Sequence, residues 1–266
     1  MHKNSLLSYK VEQGKKIYFA SDFHFGSPNY SQSLNREKLL VSWLDSIRHD
    51  ATAIFLLGDI FDFWFEYRTV VPKGFVRLLG TLASISDSGI PVHLFRGNHD
   101  IWAFEYLNKE LGIHLHRQRG LAELGNKRFF ITHGDGLGPG DLGYKLLKMV
   151  FENHVIQRMF SWLHPDIGAR IAHYFSRRSR HANNVKKAKN GGLPIQNEMM
   201  YQYAIKCASE LPDIDYFVFG HLHEPTNIAL NNKAKLVIIG DWITNFTYGE
   251  FDGNEMVIKS FTNKDI

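Results

Sequence analysis

Asp22-Phe-His24, Gly58-Asp59-Ile-Phe-Asp62, Gly97-Asn98-His99-Asp100, His133-Gly-Asp135 and Gly220-His221-Leu-His223 are five clusters of Asp, Asn and His in a chain of 266 residues. Carboxylate, amide and imidazole donors of this kind suit Mn, Fe or Zn. Taken singly each cluster is bland. A lone D-x-H fits a loop with a satisfied histidine, G-N-H-D fits a turn, and G-H-x-H fits a surface pair. Together in one chain they are hard to produce from packing needs alone, and they point to a metal centre.

Each cluster ends a short apolar run rich in β-branched and aromatic residues. The runs are "KIYFASDFH", "AIFLLGDIFD", "VHLFRGNHD", "RFFITHGD" and "YFVFGHLH", with "KLVIIGDW" as a sixth. They read as buried strands. Helix-period segments lie between the early ones, such as Arg36–Arg48 with Leu39, Leu40, Trp43, Leu44 and Ile47 on one face. This alternation predicts an α/β fold with helices on sheet faces, in which function gathers beyond the carboxyl ends of strands.

The motif series resembles that of the calcineurin-like metallophosphoesterases: D-x-H, G-D-x-x-D, G-N-H-D/E, a later histidine, and G-H-x-H. The resemblance covers most of the chain in the right order. It implies a four-layer αββα sandwich of two mixed sheets, a single domain over 1–266, and two metals at one edge. Carried over residue by residue, one metal takes Asp22, His24, Asp59 and His223, and the other takes Asp59, Asn98, His133 and His221. Asp59 bridges the two. Two divalent cations about 3.5–4 Å apart can hold a hydroxide and neutralise phosphoryl oxygens for an in-line displacement. The expected metal is Mn²⁺, with Fe or Zn served by the same donors. His99 is not a ligand in the family pattern and is read as general acid or as a donor to a phosphoryl oxygen. Asp100 is read as holding its ring, and Asp62 and Asp135 as orienting imidazoles or water, with a plain turn role as the other reading of Asp62.

Residues from about 138 to 192 form an insertion too long for an ordinary loop and are expected to be a helical cap. Its first part, "DLGYKLLKMVFENHVIQRMFSWLH", reads as a helix apolar on more than one face. Such a helix is buried, or it meets something greasy: either the sheets or a twin subunit covers it, or it lines a groove for acyl chains. Pro165 suits the start of a second helix. That helix runs into "FSRRSRHANNVKKAKNGG", with six Lys/Arg and no acidic residue. Here the chain is similar to the UDP-2,3-diacylglucosamine diphosphatases of the lipid A pathway. The shared features are S-x-x-x-N-x-x-K at Ser179, Asn183 and Lys186, and an aspartate, Asp141, eight residues after His133. The resemblance implies hydrolysis of the substrate pyrophosphate by water attack at the α-phosphorus, giving UMP and 2,3-diacylglucosamine 1-phosphate. Asp141, Ser179, Asn183, Lys186, Asn98, His99 and His221 would contact the substrate. The best-known members carry Arg where this chain has His99; either a protonated His99 supplies that phosphate contact or the substrate differs. "FDFWFEYR" is likewise a variant of its own.

The chain is 44% hydrophobic with a formal charge of +4, a globular composition with a modest lean towards acidic partners. A single cysteine, Cys207, excludes an internal disulfide and any cysteine-rich metal site. The N-terminal residues carry no apolar h-region and no stretch is long enough for a membrane span. The expectation is a cytoplasmic protein, peripheral on the inner membrane, with Arg177, Arg178 and Lys187 near anionic headgroups. No nucleic-acid motif accompanies the basic run, so no nucleic-acid partner is expected. The competing readings are a phosphoesterase for nucleotides or other soluble phosphoesters, and a non-catalytic scaffold, which should have lost ligands.

Overall fold

The computed structural model describes residues 6–138, 142–190 and 195–262, without the side chains of residues 177 and 179–190. In chain order the strands are β1 (Leu7–Tyr9), β2 (Lys16–Ala20), β3 (Ala51–Leu56), β4 (Val92–Phe95), β5 (His114–His116), β6 (Gly120–Leu124), β7 (Lys127–Thr132), β8 (Tyr216–Phe219), β9 (Thr226–Ala229), β10 (Lys235–Ile238), β11 (Thr247–Phe251) and β12 (Met256–Ser260). The helices are α1 (Tyr30–Ile47), α2 (Val76–Asp87), α3 (Tyr106–Leu111), α4 (Leu142–Glu152), α5 (His154–Phe160), α6 (Pro165–Asn190) and α7 (Met199–Glu210). All six apolar runs are strands.

One sheet has the order β12-β11-β2-β3-β4-β5 and the other β1-β6-β7-β8-β10-β9. Both are mixed: β2, β3, β4 and β5 pair in parallel while β11 runs antiparallel to β2, and β7, β8 and β10 pair in parallel beside the antiparallel β6 and β9. Side chains alternate across each strand, and this sorts them into layers. Ile17, Phe19, Phe55, Phe129, Val218 and Val237 fill the space between the sheets. Tyr18, Ile54 and Leu94 face outward onto α1, α2 and α3, and Phe130, Phe217 and Leu236 face outward onto α7. The result is the αββα sandwich. Phe19 stacks on Phe55 of its own sheet at 5.1 Å and on Phe129 of the facing sheet at 5.9 Å; burying each such ring contributes about 1.5–3 kcal/mol. Cys207 is buried in the α7 layer as small filler.

The segment α4 to α6 departs from its expected form in one place. The helix expected through residues 141–164 breaks at Asn153, whose Oδ1 accepts from Val155 N at 2.8 Å and caps a new helix. Pro165 opens α6. The segment rests on an aromatic bed after β3 and β4: Phe160 packs on Phe63, Phe65 and Trp102, and Trp102 Nε1 donates to Phe151 O at 2.8 Å. Its other apolar face does not lie on the sheets. Leu142 and Trp162 are 78% exposed, Val155 is 67% exposed, and Leu146, Met149 and Met159 are exposed with them.

Candidate metal centre

Asp22 and His24 follow β2, Asp59 and Asp62 follow β3, Asn98 and His99 follow β4, His133 follows β7, and His221 and His223 follow β8. Because those strands are parallel within each sheet, their carboxyl ends share one edge of the sandwich. The loops are tied to one another by backbone bonds: Asp22 N donates to Gly58 O at 3.1 Å, His24 N to Asp59 O at 2.9 Å, and Gly220 N to His133 O at 2.9 Å. Two motif glycines serve close approach. A Cβ on Gly97 would lie 2.5 Å from Asp59 N, and one on Gly58 2.6 Å from Gly97 N. Among the described residues seven that are not glycine have positive φ, and five of them are Asp22 (57°), His24 (45°), Asp59 (52°), His221 (68°) and His223 (60°). Left-handed backbone costs of order 1–3 kcal/mol per residue and persists where the surroundings enforce it. Here the enforcing need is to aim these side chains inward.

The side chains converge as two sets sharing one carboxylate. Asp22 Oδ1 lies 3.3 Å from His223 Nε2 and 3.7 Å from His24 Nε2. On the other side His133 Nε2 lies 3.2 Å from Asn98 Oδ1, and Asp59, His133 and His221 close a second group. Asp59 Oδ2 stands between them, 3.6 Å from His24 Nε2 and 3.4 Å from His133 Nε2. The second oxygen, Oδ1, is fixed by His99 N at 2.9 Å. The structure thus brings all seven expected ligand positions together.

These residues fit two cations. Asp22 Oδ1 is buried and accepts no hydrogen bond from the described residues, a costly state for a carboxylate oxygen without a positive partner. His24 Nε2 and His223 Nε2 face each other at 3.4 Å. The outer nitrogens explain the orientation. His133 Nδ1 meets Leu57 O at 2.6 Å and His223 Nδ1 meets Asp241 Oδ2 at 3.1 Å; both partners only accept, so Nδ1 carries the proton and Nε2 keeps its lone pair. Burial pushes the Asp22 carboxyl up, but the His24 and His223 rings overrule it and hold it at about 2. Burial lowers His221 to about 4. Burial also lowers His133, yet the Asp59 carboxylate outweighs it and raises its pKa well above the ordinary value, so cation and proton compete for that ring.

Other expected roles are placed differently. His99 Nδ1 is held by the Asp62 carbonyl at 2.9 Å, not by Asp100. Asp100 is turned away: its oxygens accept from Gly97 N at 2.6 Å and Ile60 N at 2.8 Å, stitching the β3 and β4 loops together. Reading it as the partner of His99 is therefore corrected. The Asp62 carboxylate takes Ser176 Oγ at 3.0 Å and His173 Nδ1 at 3.2 Å, both from α6. Asp135 takes Tyr144 OH and Lys148 Nζ from α4, the latter at 2.7 Å. These two acids anchor the α4 to α6 segment to the edge. Asp141, Ser179, Asn183 and Lys186 lie outside the described residues, as do the side chains of Arg177 and Lys187; Arg178 is exposed.

Asp241, His173 and Ser176 are absent from the sequence reading. Asp241 follows the sixth apolar run, and its position after a strand was the available signal; His173 and Ser176 sit on a helix face that carried none. Asp241 Oδ1 also accepts from Thr244 N at 3.0 Å and Asn245 N at 2.8 Å.

The calcineurin-like phosphoesterase family model matches residues 15–225. The UDP-2,3-diacylglucosamine hydrolase of Porphyromonas gingivalis is 37% identical over 259 residues, covering 94% of this chain and 99% of its own length. The protein of that name from Escherichia coli K12 is 29% identical over 197 residues, 73% of this chain and 79% of its own. Among solved structures, Yfce, a phosphoesterase from E. coli, aligns with a TM-score of 0.46 at 17% identity over 94% of this chain and 95% of its own. A family match across most of the length, together with a paired Asp, Asn and His centre at the strand ends, makes this chain a member of the calcineurin-like phosphoesterases and a metal-dependent hydrolase.

Proposed function

We propose that the protein hydrolyses the pyrophosphate bond of UDP-2,3-diacylglucosamine by water attack at the α-phosphorus, releasing UMP and 2,3-diacylglucosamine 1-phosphate, in the lipid A pathway. The observation that carries the reading is the attachment of α6 to Asp62. Through Ser176 and His173 it sets a segment with a broad exposed apolar face directly beside the candidate ligands. Such a face suits a substrate with a reacting phosphate at one end and acyl chains at the other. The similarity to hydrolases of that name supports it.

Two divalent cations, with Mn²⁺ as the proposed pair, supply Lewis acidity and an activated water when bound. Asp22, His24, Asp59 and His223 would hold one, and Asp59, Asn98, His133 and His221 would hold the other. The chain itself does the rest. Neutral imidazoles and the Asn98 carbonyl keep the local negative charge low enough for a phosphate to approach. His99, its Nδ1 donating to Asp62 O, presents Nε2 to the reacting group and, as the imidazolium, donates from it to a phosphoryl oxygen or the leaving oxygen. Residues 138–192 act as a cap within one domain. Asp141, Ser179, Asn183 and Lys186 are proposed to hold the polar part of the substrate. The exposed apolar residues and Arg178 meet an anionic membrane surface on the cytoplasmic side.

The test is to incubate the protein and Mn²⁺ with UDP-2,3-diacylglucosamine in detergent and follow both products by mass spectrometry. Metal-dependent appearance of UMP and the lipid monophosphate supports the proposal. Cleavage of a chromogenic phosphodiester with no product from the lipid leaves a phosphoesterase of soluble esters instead.

A further inference from the structure

Beside the candidate ligands lies a cavity of about 320 Å³, walled by the strand ends after β4 and β7, the turn between β5 and β6, and helices α4 and α7. His133 and Asp135 form the side nearest the ligands. Four cations, Arg96, Arg117, Arg119 and Lys148, line it against two carboxylates, Asp135 and Glu152. Its volume falls at the lower end of the range of about 300–1,000 Å³ for small-molecule pockets, and its charge is wrong for acyl chains.

The cations are placed rather than merely gathered. Arg119 Nη1 donates to Tyr203 OH at 2.8 Å, and its guanidinium sits 5.7 Å above the Phe130 ring. Lys148 is held on Asp135. Arg96 donates through Nη1 to Ile101 O at 2.7 Å, while its buried Nε has no acceptor among the described residues. Guanidinium groups in the wall of such a cavity are donors suited to the acceptors of a polar ligand. The helix α6 approaches the ligand set at Asp62 and His99, whereas this cavity approaches it at His133. A substrate with two unlike ends therefore has two separate exits from the metal edge.

We propose that this cavity seats the nucleoside end of the substrate, with the reacting phosphate at the ligand set and the ribose and pyrimidine among Arg96, Arg117, Arg119 and Tyr203. This rests on the function proposed above. The pyrimidine carbonyls are acceptors matched by guanidinium donors, and a planar guanidinium can also stack on the base.

The experiment is calorimetric titration of Mn²⁺-loaded wild type, Arg117→Ala, Arg117→Glu and Arg119→Ala with UMP and, separately, with inorganic phosphate. Melting temperatures serve as the folding control. Arg117 is exposed, so its variants keep the test open if Arg119→Ala, which loses the Phe130 contact, fails to fold. The expected result is UMP binding weakened about tenfold by either alanine and further by Arg117→Glu, with phosphate affinity changed less than about twofold. UMP affinity unmoved by every folded variant overturns the assignment. So does an equal loss for UMP and phosphate, which makes the cavity an anion well with no nucleoside preference. The two proposals fail separately. If UDP-2,3-diacylglucosamine is not hydrolysed while UMP still depends on Arg117, the lipid substrate falls and the nucleoside seat is supported.

Discussion

Asp241→Asn isolates what one carboxylate outside the ligand set contributes to metal binding. Asp241 Oδ1 accepts from Thr244 N and Asn245 N, while Oδ2 accepts from His223 Nδ1 at 3.1 Å. An asparagine that keeps both loop bonds must put its oxygen at the Oδ1 position, which turns its NH₂ group towards His223. Two donors then meet, and the ring relieves the clash by moving its proton to Nε2, the atom aimed at Asp22 Oδ1. That nitrogen can no longer accept a cation. Loss of such a partner typically weakens metal binding 10–100-fold, about 1.4–2.8 kcal/mol. Only the site built on His223 should suffer. Mn²⁺ titration followed by the paramagnetic resonance of the free ion resolves the two sites; the expected outcome is one class weakened by that factor and the other unchanged. Asp241→Ala is the poorer probe, because it also removes two hydrogen bonds to a charged acceptor, each contributing about 1.5–3 kcal/mol, from a partly exposed loop. Two sites of wild-type affinity in Asp241→Asn would refute the tautomer argument.

Gly97→Ala is expected to lower phosphodiester hydrolysis roughly hundredfold while the protein stays folded, since the new methyl displaces Asp59 and small misplacements are that costly; steady-state rates with a melting control decide it. Acid stability is expected to depend on a chain remote from the ligands, in which Tyr9 OH meets His93 Nε2 at 2.6 Å and His93 Nδ1 meets His116 Nε2 at 2.8 Å. Burial and neighbouring histidines lower His93 to about 3 and His116 to about 4. Both folded values lie below the unfolded one of about 6.5, so the stabilisation is complete above that pH and is lost as the pH falls towards 4 and then 3. His93 alone should cost about 1.4 kcal/mol per pH unit in that window, with a smaller part from the partly solvated His116. Urea midpoints at pH 7, 6 and 5 that shift equally in wild type and His93→Gln would sink this account. Leu142→Glu combined with Trp162→Glu is expected to abolish co-sedimentation with anionic vesicles; undiminished binding removes the exposed α4 to α6 face from the membrane contact.

The strands that carry ligands were legible because each is an unbroken apolar run ending in Asp, Asn or His. Among the rest, β10 gave the same signal with Asp241 after it, whereas β1, β5 and β11 gave none: β5 is His-Leu-His, β1 is Leu-Ser-Tyr, and β11 holds Gly249 and Glu250. Their apolar content is too small to stand out, and pairing with neighbouring strands supplies what their own residues lack. The break at Asn153 went unread because an asparagine cap is visible only where the apolar period falters, and here it does not. Within the site, ligand types were legible and ligand support was not. Asp62 meets α6 through His173 and Ser176, 111 and 114 residues away, and periodicity says nothing about contacts at that range. Asp100 misled for the same reason: adjacency in sequence to His99 implied contact, but successive residues in a tight loop point apart.

The left-handed backbone at Asp22, His24, Asp59, His221 and His223 also limits how this centre can be rebuilt. Outside glycine, Asn, Asp and His are the residues most at home in that conformation, and they are also nitrogen or oxygen donors. One alphabet thus satisfies two demands, and it is narrow. Remodelling the site for a softer metal by placing cysteine at these five positions meets the backbone's objection before the metal's, and a β-branched residue there is worse placed still. A workable redesign starts instead at Asn98 and His133, whose backbones carry no such restriction.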